Sequence, residues 1–178
     1  MPNKPTLRFE KVTFEEYRKY FEADEKLDDN QLEAVKKSYD EIILPSRATT
    51  CSAGYDFFMP FDMCYNTDEH ESVLIPTGIR VYMDTDNVLL IMPRSGLGTR
   101  YGFRLLNTVG VIDSDYYNAD NQGHILCACT SDKSFNIHAG EAFMQGLFLP
   151  YFKTTNDEPR AHRRIGGFGS TTKAAGAK

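Results

Sequence analysis

From residue 45 to residue 152 no apolar run exceeds about five residues before a Gly, Pro, Asn, Asp or other polar residue interrupts it, as at 88–92. That texture constrains the fold more than any other feature of the chain. Runs this short, separated by turn formers, suit strands, whereas a core-facing helix needs apolar positions sustained over three or more turns. The candidate strands are Tyr55–Phe58, 72–76, 78–83, 88–92, 103–108, 124–129, Phe135–Ile137 and 143–152. Many short strands with no long amphipathic helix between them imply an all-β sandwich or barrel. No internal repeat is visible.

The first 44 residues have a different texture. No Gly or Pro occurs between Lys11 and Leu44. Thr13 with Glu16 and Asp28 with Gln31 carry the spacing of capping boxes, and Phe14, Tyr17 and Phe21, then Leu32, Val35 and Tyr39, follow at near-helical intervals. The acidic group Glu22, Asp24, Glu25, Asp28 and Asp29 reads as a solvated turn between two helices. The chain thus divides into a helical extension (1–44), a β domain (45–152) and a polar, Gly-rich C-terminal arm (153–178) that is expected to be flexible.

Composition excludes several classes of function. A 178-residue chain with formal charge −5 and pI near 5.4 lacks the cationic surface that grips long nucleic acid. No stretch is long and apolar enough for a membrane span, and the first residues lack the apolar block of a signal peptide, so a cytoplasmic location is expected. Cys51, Cys64, Cys127 and Cys129 form no C-x-x-C pair and the four His are scattered, against a zinc site. Cys127 and Cys129 point to one face of a strand and read as small apolar packing.

Four segments combine residues able to do chemistry. Pro93-Arg94-Ser95-Gly96-Leu97-Gly98 follows a strand and offers a cation, a hydroxyl and glycines whose backbone can approach an anion; it also reads simply as a turn ending that strand. It is no P-loop, because G-x-x-x-x-G-K-[ST] is absent. Arg163-Arg164-Ile165-Gly166-Gly167-Phe168-Gly169-Ser170-Thr171 has the makings of an anion nest, with Phe168 as a stacking face. In Val111-Ile112-Asp113-Ser114-Asp115-Tyr116 two carboxylates stand two residues apart after an apolar pair; one of them could hold a water, though spacing alone slightly favours an acidic turn at a strand end. Ser52-Ala53-Gly54-Tyr55-Asp56 is a small-residue turn entering a strand.

In order, A-G-Y-D, P-R-S-G-L, N-x-V-G-V-I-D-S-D-Y and G-G-F-G-S-T resemble the signature motifs of the trimeric dUTPase family, with a weaker motif centred on Gln145 between the last two. The resemblance runs from about residue 48 to 171 and leaves the N-terminal segment outside. It implies a jelly-roll-like distorted barrel, assembled as a homotrimer with shared active sites, that hydrolyses dUTP to dUMP and pyrophosphate with Mg²⁺ held by substrate phosphates and water. Carried over residue by residue, Asp113 orients the attacking water, and Tyr116 packs under the deoxyribose and excludes a 2′-hydroxyl. Asn107 with the backbone of Gly110 and Val111 reads uracil. Arg94, Ser95, Gly96 and Gln145 bind phosphates, joined by Arg163, Gly169, Ser170 and Thr171 of the arm. Phe168 stacks on the base, and Asp56 has a supporting role.

The sequence departs from the family pattern in three places. Residues 118–122 intervene before Gly123 and look like an insertion beside the sugar site; Ala142 stands where Arg is common; Arg164 and Thr172 replace usual glycines. Two other readings stay open: a dCTP deaminase-like enzyme of the same fold, and a non-catalytic dUTP-binding regulatory protein.

Overall fold

A computed structural model of the chain describes residues 6–22 and 26–159. The protein is mainly β, in several antiparallel sheets without a closed barrel. The largest sheet has the order β2 (Tyr55–Phe58), β11 (Ala142–Pro150), β6 (Asn87–Pro93), β8 (Gly110–Ile112). A second holds β4 (Val73–Pro76), β9 (Leu126–Thr130) and β7 (Arg104–Leu105). Two pairs complete the strands: β1 (Leu7–Lys11) with β5 (Ile79–Met83), and β3 (Met63–Tyr65) with β10 (Phe135–Ile137). Alternation does the sorting. In β5 Ile79, Val81 and Met83 are buried while Arg80 and Tyr82 between them are not. Cys127 and Cys129 are likewise buried on one face of β9, unpaired, as their spacing indicates.

The N-terminal segment is less helical than its sequence suggests. It opens with β1, whose Leu7 to Lys11 pair with Met83 to Ile79 of β5. Five residues that alternate around Phe9 find an available sheet edge, and pairing outweighs any local preference. Helix α1 (Phe14–Arg18) starts at Thr13, whose hydroxyl accepts from the Glu16 N–H. Helix α2 (Asp29–Asp40) has the complete capping box, with the Gln31 N–H donating to Asp28 and the Gln31 side chain accepting from the Asp28 N–H. Lys11 closes its other end by donating to the carbonyls of Tyr39 and Asp40. Val12, Tyr17, Val35 and Ile42 belong to the same buried core as Phe57, Leu89 and Met144, so this segment is packed into the β body.

Two further differences concern short elements. The span expected as a strand at 103–108 keeps only Arg104–Leu105 in register, because Thr108 adopts φ 67° and turns the chain towards β8. The segment after Arg94 is α3 (Ser95–Tyr101), not a simple turn. Its two glycines disfavour helix by about 1 kcal/mol each. Tertiary contacts offset that: Leu97 and Tyr101 pack on the core, Tyr101 stacks on Phe135 at 5.1 Å, and Gly102 closes the helix at φ 70°. No helix among the described residues is long and apolar enough to cross a membrane.

Candidate active site

Residues from three motifs meet at one end of the large sheet. Gln145 lies in β11 between Asp56 of β2 and Met92 of β6. The register of β11 shifts between Ala142 and Met144, leaving Phe143 as an extra residue. The Phe143 carbonyl accepts the Arg94 N–H at 3.1 Å, so this bulge fixes the point where the chain leaves β6 for α3. The Arg94 guanidinium then stands 3.4 Å from the Asp56 carboxylate, and the Gln145 amide donates to the Pro93 carbonyl at 3.3 Å. Asp56 is itself held by a two-way backbone bridge to Ser46. Its side chain is 14% exposed against 43% for Arg94, so a sheltered carboxylate steadies a cation whose outer side stays open.

The neighbouring glycines differ in what they serve. A Cβ at Gly54 would stand 3.0 Å from the Gln145 amide oxygen, so that glycine lets the entry to β2 approach the site. A Cβ at Gly96 would meet none of the described residues within 4 Å. Packing therefore does not require glycine at 96, whereas an open first turn of α3, with N–H groups lacking intrahelical partners, suits close approach by an anion.

The third motif builds a separate feature, a cleft of about 340 Å³. Ile91, Cys127 and Met144 give it an apolar floor. Asn107, Gly110, Val111 and Tyr116 line it, with Asn107 and Val111 exposed and Tyr116 buried. A Cβ at Gly110 would press on Ile91 at 3.2 Å, so glycine here serves the β6–β8 contact. Mostly apolar walls with a few convergent polar groups suit a planar ligand with one hydrogen-bonding edge. Asp113 follows the lining residue Ile112, is exposed, and starts the 3-10 turn Ser114–Asn118 that carries Tyr116.

The cleft runs along β6 from Met144, which faces Pro93, through Gly110, which faces Ile91, to Ile112 at the end away from Arg94. Leu89 faces Ile112, and Arg94 follows Pro93 at the far end. Five residues of strand, about 16 Å, separate Leu89 and the facing Ile112 from Arg94. One chain thus brings Asp56, Arg94 and Gln145 together, and Asn107, Gly110, Val111 and Tyr116 together, but not the first set with Asp113. Arg163, Phe168, Gly169, Ser170 and Thr171, with the departures at Arg164 and Thr172, lie outside the described residues.

Sequence reading missed the supports of this turn. The Tyr116 hydroxyl donates to the His124 carbonyl at 2.9 Å and accepts from the Asn121 amide at 2.8 Å. The His124 ring, fully buried, accepts the Gly78 N–H through Nε2 at 2.8 Å, which places its own proton on Nδ1. Burial pushes the His124 pKa down to about 3, so the ring is neutral. The family motif ends before these residues, and a partner such as Gly78 is 46 positions away.

The dUTPase family model matches residues 40–172. The deoxyuridine 5'-triphosphate nucleotidohydrolase of Lactococcus lactis subsp. lactis is 40% identical over 134 residues, which are 73% of this chain and 88% of that protein. The crystal structure of dUTPase from Streptococcus mutans is similar at TM-score 0.59 and 38% identity, covering 66% of this chain and 92% of the other. The fold is shared, at TM-score 0.59 and 14% identity, with a mutant dUTPase from phage phi11 of S. aureus whose structure describes a structural Mg(II) ion; 88% of this chain and 98% of that one are covered.

Proposed function

The chain belongs to the dUTPase family and is thereby a dUTP nucleotidohydrolase, and from that premise we propose that it cleaves dUTP to dUMP and pyrophosphate in sites shared between the subunits of a cytoplasmic homotrimer. One observation carries the reading furthest. The Ile112 end of the cleft, where Asp113 follows, stands five residues of β6 from Arg94, about 16 Å along the strand and a longer reach than one triphosphate spans. Two halves that are each organised, with the motif carboxylate and the cation a strand's length apart, complete each other across a subunit boundary.

Asn107 and the strand backbone at Gly110 and Val111 read the uracil edge. Cytosine exchanges donor for acceptor at its 4-position, and a fixed set of hydrogen-bonding groups rejects such a swap strongly. The Tyr116 ring lies under the deoxyribose. Asp113 orients water towards the α-phosphorus and takes up its proton. Arg94, Ser95, the Gly96 backbone and Gln145 of a neighbouring subunit hold phosphates, with Asp56 steadying Arg94. Arg163, Phe168, Gly169, Ser170 and Thr171 close over the nucleotide from the arm.

Among the described residues no group of His, Cys, Asp or Glu is arranged to hold a metal ion. The donors beside Arg94 are a hydroxyl, an amide and backbone N–H groups, which suit phosphate oxygens. This donor set fits Mg²⁺ carried on the substrate's phosphates with several waters retained. When bound, the ion supplies charge neutralisation on the phosphates.

The test is a pyrophosphate-release assay over dUTP, UTP, dCTP and dTTP, with and without Mg²⁺. Rapid release from dUTP alone, dependent on the ion, is expected. Ammonia from dCTP would turn the reading into a deaminase, and nucleotide binding without release would leave a regulatory protein. Asp113→Asn should keep dUTP affinity and lose about 100-fold or more in turnover.

A further inference from the structure

Residues 118–122, which interrupt the third motif, fold back onto the turn that carries Tyr116. The Gln122 N–H donates to the Ala119 carbonyl at 2.7 Å, and the Ala119 N–H to that of Tyr116 at 3.0 Å. Gly123, at φ 72°, rests directly on this backbone: a Cβ there would come within 2.7 Å of the Tyr116 carbonyl oxygen. Asn121 donates to the Tyr116 hydroxyl and also reaches the His124 carbonyl at 3.3 Å. The phenol thus has its hydroxyl engaged as donor and as acceptor inside the protein. Any contact it makes with a ligand in the cleft is through the ring, and the tethers at the hydroxyl set the angle of that ring.

The loop is in turn pinned to the N-terminal segment at three places. Gln122 sits at φ 58°, an uncommon conformation for a residue with a side chain. It is held there by a reciprocal pair with Thr13: its amide oxygen accepts the Thr13 N–H at 3.0 Å and its amide nitrogen donates to the Thr13 hydroxyl at 3.0 Å. In a capping box the first of these bonds comes from the helix's own third residue. Here Gln122 supplies it, and Glu16 is freed to turn inward, 2% exposed, with its carboxylate 3.8 Å from His124 Nδ1 and bonded by Lys19 at 2.7 Å. Tyr20 meets the His124 ring edge-on at 5.0 Å. On the other side the Tyr117 hydroxyl donates to Glu10 at 2.7 Å, and Arg80, paired with the same carboxylate, lies 4.3 Å over the Tyr117 ring. Residues 117, 122 and 124 therefore lean on Glu10, Thr13, Glu16 and Tyr20.

We infer that Asn121 and Gln122 are positioning residues for sugar discrimination. With the N-terminal segment as their abutment, they hold the Tyr116 ring at the angle that excludes a 2′-hydroxyl. The inference rests on the reading of Tyr116 as the ring under the deoxyribose. It gives the insertion, which lies between two of the motifs, and the N-terminal segment, which lies outside them, one common task.

The test compares kcat/KM for dUTP with kcat/KM for UTP. Asn121→Ala removes a tether of the hydroxyl, Gln122→Ala releases the loop from Thr13, and Tyr116→Phe keeps the ring while removing both hydroxyl bonds. Each should lower the dUTP-to-UTP ratio by about fivefold to tenfold, the scale of one hydrogen bond. Most of the change should fall in KM, because none of the three substitutions alters the Asp113 side chain. Ile137→Val in β10 is the control, a core truncation remote from the loop that lowers Tm without moving the ratio. A parent-like ratio in Asn121→Ala and Tyr116→Phe overturns the inference, as does an equal fall in Ile137→Val. Tyr116→Phe conserves volume, so the question is answered even if Asn121→Ala fails to fold. Failure of the functional reading looks different: the parent then releases no pyrophosphate from dUTP, or Tyr116→Ala discriminates as well as the parent, and the inference falls with it.

Discussion

The two ends of β6 are built to different standards. Tyr116 itself is buried and doubly held: it is 3% exposed, its hydroxyl has two partners, and His124 behind it is fully enclosed. Around Arg94 the parts are open. The cation is 43% exposed, Ser95 and Gly96 face outward, and a Cβ at 96 would touch none of the described residues. The difference corresponds to the two tasks. Selecting a base and sugar needs a fixed shape, which a single chain can pre-organise before any ligand arrives. Holding a triphosphate needs charge delivered from several directions, and an exposed cation suits the shared site proposed above.

The sharpest way to break this comparison is to damage each end in a different chain. Asp113→Asn and Arg94→Ala homo-oligomers should each lose about 100-fold or more in turnover. Co-assembled from equal amounts of both chains, they should recover a measurable fraction of parent activity, because some sites then draw an intact half from each. Absence of recovery in a verified mixed oligomer would place the whole site within one chain.

The next effect tests how tightly the cleft end is enclosed. His124 is held neutral at about 3 in the fold against about 6.5 when unfolded. The unfolded chain binds this proton first, so stability is full above about pH 6.5 and is lost as pH falls towards 3. The loss is of the order of a few kcal/mol. Glu16, Tyr17 and Tyr20 are the titratable groups facing the ring. Denaturation midpoints measured from pH 7 to pH 4 should fall steeply for the parent and less steeply for His124→Gln. Equal slopes would show that the ring is not sealed.

Smaller effects are expected at the open end. Asp56→Asn removes the carboxylate beside Arg94 and should raise KM for dUTP several-fold, with less than about 1 kcal/mol lost in stability because the pair is half exposed. Gly96→Ala should stabilise the chain by about 0.5–1 kcal/mol, since α3 gains a better helix former in open space. Yet it should lower kcat/KM modestly by crowding the phosphates. A gain in stability with unchanged kinetics would show that nothing approaches the Gly96 backbone.

How much of this was legible beforehand follows from where the determining contacts lie. Strands such as Tyr55–Phe58 and Phe135–Ile137 stand in the sequence because alternation and flanking turn residues are local. The α2 capping box is local too. β1 was hidden in a segment free of Gly and Pro because only the edge of β5 makes it a strand. α3 was hidden for the converse reason: its glycines speak against helix, and Leu97 and Tyr101 are held by a core the local sequence does not describe. Of the site, the motif residues were legible one by one, while their supports were not. Thr13 and Glu16 carry the letters of a capping box, but Gln122 takes the reciprocal role from 109 positions away.

The sequence by itself therefore determined the β character, the ordered set of motif residues and the family, since these depend on residue type and spacing along the chain. Only the tertiary structure decided which of those residues share a corner and which stand a strand's length apart. It also decided that the insertion folds onto Tyr116 while the N-terminal segment braces the insertion. The physical reason is that hydrogen bonds and burial act through space. A side chain's neighbours become known only once the strands between them have found their register.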